Sequence, residues 1–278
     1  MTGPDTLVEK LGFAPDSRAL IISVRGLGMS QSSTDACYDA IRDGIATSSS
    51  VMVPCCWSRF AAAIFRGEDI GVELTLNAEF DQYRWGPITQ APSLLDGDGG
   101  FPRTSEDLWE HADVDETRRE CRSQIERAVL WGFPVTHLTT HLQAMEKRPE
   151  LYDVFLEMAE EFSLPIRLSS KPGESAIGFP IRRLAAQAGV LFPDHLVDFE
   201  GGSSAGLSEL LSNLDQGVTE IVVDVALDTP EMRAITPTWA KRLENLRALL
   251  DTKQSELAKL NIELIGYKDL CDLMRKGR

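Results

Sequence analysis

At 278 residues, 43% apolar and 26% charged, the chain is long enough to bury a substantial core as one large domain, residues 1–278. Its net charge of −15 argues against a nucleic-acid partner, whose phosphates need clustered Lys and Arg. No apolar run approaches the roughly 18 residues of a membrane span, and the opening MTGPDTLVEKLGF lacks the basic-then-apolar pattern of a secretory leader.

In chain order, residues 19–24 (ALIISV) form a compact apolar strand ending in glycine punctuation. A helix follows over 34–42 and stops at Gly44. Residues 50–53 make a short strand, 58–65 a helix, and 70–76 (IGVELTL) a strand rich in branched aliphatic residues. A long excursion over 77–112 carries YRWGP and the turn-rich DGDGG, and loops of such length are usually functional or disordered. The Asp/Gly cluster fails as a calcium loop. Gly100 stands where a third oxygen ligand is wanted and Asp107 where a bidentate Glu is wanted, so a plain turn is expected.

Residues 115–131 read as an amphipathic helix closed by Gly132, followed by a strand over 135–140. Pro149 opens a helix that continues through 151–162. Strands are expected at 164–168, 195–199, 220–225 and 262–265, with helices at 181–188, 207–214 and 238–260. The alternation implies a mainly parallel sheet, and this many units suggest a closed or nearly closed α/β barrel with its site at the carboxyl ends of the strands. A doubly wound open sheet is the alternative, but no GxGxxG turn follows the first strand. The five cysteines are odd in number and show no CxxC pairing, so reduced thiols and a cytoplasmic location are expected.

Three strand ends offer chemistry. The first is Arg25 with Gly26. In the second, Glu73, Thr75 and Asn77 share a face because side chains alternate, with Glu79 just beyond. The third ends at His141. His137 and His141 also share a face, but an extended strand separates them by about 13 Å, too far to chelate one ion. His137 is expected to be buried and structural. His141 stands at the rim, with a pocket role or a simple hydrogen bond both open. A carboxylate such as Glu73 on a barrel strand is costly to bury unpaired. It therefore reaches the rim or finds a partner, with Arg25 a candidate, unless both face solvent. Tyr83, Arg84 and Trp85 would offer flat rings and a cation to a sugar, or else pack on the barrel mouth. Cys55 and Cys56 lie near a strand end, but no histidine is placed beside them to make a nucleophile.

With those residues in view, the chain resembles the YdjC-like carbohydrate deacetylases. IISVRGLGMSQSSTDACYDAIRDGIATSSSVMVP is similar to that family's opening, where an Asp-Asp pair leads into a helix. GVELTLNAEFDQYRWGP is similar to its Gly-Val-His-Leu-Thr-Leu segment and VTHLTTHLQ to its Thr-His-Leu-Asp-Ser-His strand. LDTPEMRAITPTW and IELIGYKDL are similar to its C-terminal segments.

The resemblance implies a distorted α/β barrel, magnesium or zinc, removal of acetyl groups from amino sugars, and homodimers. It also implies losses. The base aspartate aligns with Arg25, the ligand aspartate with Gly26 and one ligand histidine with Glu73. The aspartate of the third motif aligns with Thr139, and a late histidine falls at Asp224-Val225; only the ligand at His141 remains. A cation at Arg25 opposes a divalent ion about 4 Å away by roughly 8 kcal/mol at an effective dielectric of about 20. Arg25 is therefore expected to fill the vacated cation position, paired within about 4 Å with Glu73 or Asp224.

The expected protein is a pseudoenzyme without a cofactor that binds a carbohydrate or a protein partner. Its substrate-facing residues would be Arg25, Asn77, Glu79, Tyr83, Arg84, Trp85 and Asp224. The alternative is an active deacetylase that holds its metal with Glu73, His141 and Glu79.

Overall fold

The structure, a computed structural model, describes residues 6–277. Its frame is a curled parallel sheet ringed by helices, a distorted TIM-like barrel. Among the described residues the strands are β1 (Arg18–Leu27), β2 (Ser48–Val51), β3 (Ile70–Leu74), β4 (Leu138–Thr140), β5 (His195–Asp198), β6 (Gly217–Asp224) and β7 (Ile262–Leu264). The order is β4-β3-β2-β1-β6-β5, with β7 also on β1. Helical crossovers between parallel neighbours cover the outer face, so β1 can be apolar on both sides; residues 19–24 are buried throughout.

β1 organises the sheet. β6 runs beside it from Arg18 to Arg25, while β7 and then β2 share its other edge. The β1–β6 register sets Arg25 directly beside Asp224. Between Val24 and Leu27 the β1–β2 register slips, and Gly26 takes φ 104° there. A Cβ at Gly26 would stand 3.0 Å from the Ser33 Cβ, so glycine is needed for both conformation and space.

The barrel interior is polar at its centre, around Glu220 and His137. Glu220 accepts from Arg167 at 2.9 and 2.6 Å and from the Tyr267 hydroxyl at 2.6 Å. Tyr267 stacks on His137 at 3.9 Å, and the His137 ring meets Ser50 at 3.1 Å and Thr136 at 2.9 Å. Burial first, then the charge of Arg167, pushes the His137 imidazole well below its ordinary value, so it is a neutral core residue.

Three departures from the sequence reading have a local physical cause. Residues 164–168 make only a single bridge, Leu138 with Ile166, because Pro165 has no N–H to extend a ladder. The long helix expected over 238–260 is two, Trp239–Asp251 and Gln254–Lys259, parted where Thr252 turns extended. The excursion 77–112 is not all loop. Ser105–His111 is a helix capped by the Thr104 side chain, with Glu106 and Asp107 in its first turn.

Candidate functional site

The carboxyl ends of β1, β3, β4, β5 and β6 open on one mouth. His141 follows β4 directly and is buried there. Its Nδ1 lies 2.7 Å from Glu73 Oε1 and its Nε2 lies 2.9 Å from Glu79 Oε2. A carboxylate thus faces each ring nitrogen, an arrangement that favours the doubly protonated ring. Burial alone would lower its pKa; the charge of Glu79 and the bonds to Glu73 and Glu79 outweigh that and raise it to about 10. Burial likewise opposes ionisation of Glu79, and the His141 charge reverses this and holds Glu79 below its ordinary value. The edge of Trp85 packs on the His141 ring at 6.2 Å. The next two residues, Leu142 (φ 53°) and Gln143 (φ 55°), are left-handed without being glycine, a strained turn of the kind that gathers at functional sites.

Arg25 forks onto Asp224, Nε to Oδ1 at 3.0 Å and Nη2 to Oδ2 at 3.2 Å, with Asp198 Oδ1 at 3.5 Å. Burial works against the Arg25 charge, but Asp224 and then Asp198 outweigh it and raise its pKa. Of the two anions expected beside Arg25, the structure selects Asp224. Glu73 does not pair with it, because His141 on the neighbouring strand end takes the Glu73 carboxylate instead.

The remaining candidates sit farther from the opening. Asn77 donates to the Pro102 and Thr104 carbonyls at 3.1 and 2.8 Å and anchors the excursion. Tyr83 donates to the Met29 carbonyl, and the Trp85 indole donates to the Asn77 carbonyl at 2.8 Å. Arg84 turns into its own loop, onto the Ala78 and Phe101 carbonyls and Asp96. These residues knit the loop to the rim; none of Asn77, Tyr83, Arg84 and Trp85 lines the three hollows of the mouth.

Those hollows adjoin one another. A cavity of about 100 Å³ is bounded by Glu73, Glu79, His141, Arg25 and Arg242. A larger one, about 360 Å³, shares Arg25, Asp224 and Arg242 and adds Arg167, Asp198 and Lys241. A third, about 590 Å³, continues past Gln143, Leu196 and Asp198 to Trp109 and Lys147. Sequence reasoning missed Asp198, Arg167, Arg242 and Trp109. Asp198 ends a strand and could have been found by the strand-end rule. Arg242 lies within a helix and carries no local signal.

A divalent ion implied by the resemblance needs free lone pairs at about 2.0–2.2 Å. Both His141 nitrogens are already bonded to carboxylates, and Asp224 is forked by Arg25. Gly26, at the ligand aspartate's position, has a backbone that resists any side chain. Among the described residues no three His, Cys, Asp or Glu side chains stand in ligating geometry. The residues present do not fit the metal.

Comparison with known proteins completes the picture. A family model described as YdjC-like protein matches residues 19–259. A carbohydrate deacetylase of Thermus thermophilus is 34% identical over 252 residues, covering 87% of this chain and 90% of that one. One from Thermoanaerobacter pseudethanolicus is 26% identical over 90% of this chain and 98% of its own. A crystal structure of a putative cellobiose-phosphate cleavage protein from Enterococcus faecalis superposes with a TM-score of 0.80, covering 91% of this chain and 99% of that one at 23% identity, which speaks for the fold. No helix among the described residues is long and apolar enough to cross a membrane. The chain belongs to the YdjC-like carbohydrate deacetylase family.

Proposed function

We propose that this protein is a carbohydrate-binding member of its family in which metal-dependent deacetylation has been lost. The observation that carries this reading is the His141 ring, bonded at both nitrogens to Glu73 and Glu79. Hydrolysis in a metal site depends on lowering the pKa of a bound water from 15.7 to about 7. A protonated ring beside an arginine-paired aspartate offers no equivalent. Sugar binding is supported by the open mouth itself, whose 360 and 590 Å³ cavities lie within the roughly 300–1,000 Å³ of ordinary ligand sites. Trp109 in the second cavity supplies the aromatic surface on which sugars stack. Five free thiols among the described residues support a reducing compartment, the cytoplasm.

A second reading has one observation in its favour. Glu73 Oε2 is buried without a hydrogen-bond partner, which would suit a cation as well as a ligand hydroxyl. In that reading Glu73, Glu79 and His141 hold a metal and the protein deacetylates N-acetyl sugars.

Two measurements on the purified protein separate the readings: acetate release from N-acetylated chitooligosaccharides with magnesium, zinc, manganese or cobalt, and binding of the same sugars by saturation-transfer NMR. Binding without acetate release under every metal is the expected result. Acetate release that disappears in both Glu73→Ala and His141→Ala would establish the second reading.

A further inference from the structure

The cations of the 360 Å³ cavity are not equivalent. Arg25 is forked by Asp224. Arg167 is bonded twice to Glu220. Lys241 stands 3.3 Å from Glu200. Arg242 alone among these four makes no ion pair among the described residues, and its Nε is buried without a hydrogen-bond acceptor. Its charge is felt by Asp224 and Glu79, whose ionisation it favours, but it bonds to neither. A guanidinium fork normally meets an oxyanion, and a buried N–H of a charged group left without an acceptor is costly. Arg242 also lines both the 360 Å³ cavity and the 100 Å³ hollow beside His141, so a ligand filling either would meet this residue.

We infer that Arg242 is the anchor for a carboxylate-bearing sugar, such as a uronic acid, bound in the 360 Å³ cavity. One uncommitted guanidinium calls for one negative charge. Asp198, Glu200 and Asp224 line the same walls, and the second charge of a phosphate ester would face them without a further free cation. The remaining surface suits a sugar ring: Thr140, Gln143 and Thr238 offer neutral polar groups beside Phe199 and Leu196. This rests on the carbohydrate-binding reading and narrows it to acidic sugars.

The test compares glucuronate, glucose and glucose 6-phosphate by isothermal titration calorimetry on the full chain, with Arg242→Gln and Arg242→Lys alongside. A charge-assisted hydrogen bond to a half-buried arginine predicts glucuronate tighter than glucose by about 10- to 100-fold. Arg242→Gln should remove that preference, with circular dichroism and thermal unfolding like the parent's showing that the variant is folded. Arg242→Lys should keep part of it, as a point charge without the fork. Equal binding of glucuronate and glucose by the parent, or a preference that survives Arg242→Gln, would overturn the assignment while leaving sugar binding intact. Glucose 6-phosphate binding more tightly than glucuronate would overturn the single-charge argument. Failure of all three sugars to bind would remove both this inference and the reading beneath it.

Discussion

An imidazole held between two carboxylates is a fixed cation. His141 bonds Glu73 at 2.7 Å and Glu79 at 2.9 Å, and its pKa rises to about 10. In the unfolded chain a histidine titrates near 6.5. The raised folded value means that this contribution to stability is complete below about pH 6.5 and is lost as pH rises through about 10. Nitrogen-15 NMR of the ring should show both nitrogens protonated at pH 8, and Glu79→Gln should lower the pH at which the first proton leaves. A ring that is neutral at pH 7 would contradict the clamp. The sequence placed Glu73 and His141 at strand ends with Glu79 just beyond, since apolar runs and alternation suffice for that; that the two strands are neighbours came from the fold. It could not say which anion each cation would choose. Arg25 meets Asp224 because β1 and β6 are in register there, across 199 residues of sequence.

At the scale of elements, the excursion after β3 is the part least legible from composition. Its Asp96-Gly97-Asp98-Gly99-Gly100 stretch turns without metal. Asp96 accepts from the Gly100 and Asp98 amides at 3.2 and 2.9 Å and binds the guanidinium groups of Arg84 and Arg103. The Asp96 side chain is only 8% exposed, so its two arginines are its solvent. Asp96→Ala would leave Arg84 in its enclosure without its anion, and such losses cost about 3–5 kcal/mol. The measurement is urea unfolding together with hydrogen exchange across residues 78–104, where protection should fall most. Unchanged stability and protection would show that the loop is held by its apolar contacts alone. The helix Ser105–His111 inside this excursion was announced by Thr104 and the acidic residues after it, a capping signal outweighed by the turn residues before it. The break at Thr252 had no such signal, because the apolar spacing continues through it. The barrel strands were readable for the opposite reason: buried parallel strands are short, continuous apolar runs between turn residues.

For the whole molecule, the proposed reading is that the protein's own cations stand in for a dication at the mouth of a barrel that keeps its family's architecture. The chain carries a net charge of −15, yet its mouth brings together Arg25, Arg167, Lys241, Arg242 and a protonated His141. Glu73, Glu79, Asp198 and Asp224 each stand against one of the protein's own cations, and a metal would compete with those pairs. Gly26 makes the change hard to reverse at a single position, since an aspartate there would meet Ser33 and a backbone at φ 104°. The most direct test is elemental analysis of the purified protein after equilibration with excess zinc and removal of free ion. Far less than one zinc per chain is predicted, with no change on substituting His141. One zinc per chain, lost in both Glu73→Ala and His141→Ala, would contradict it.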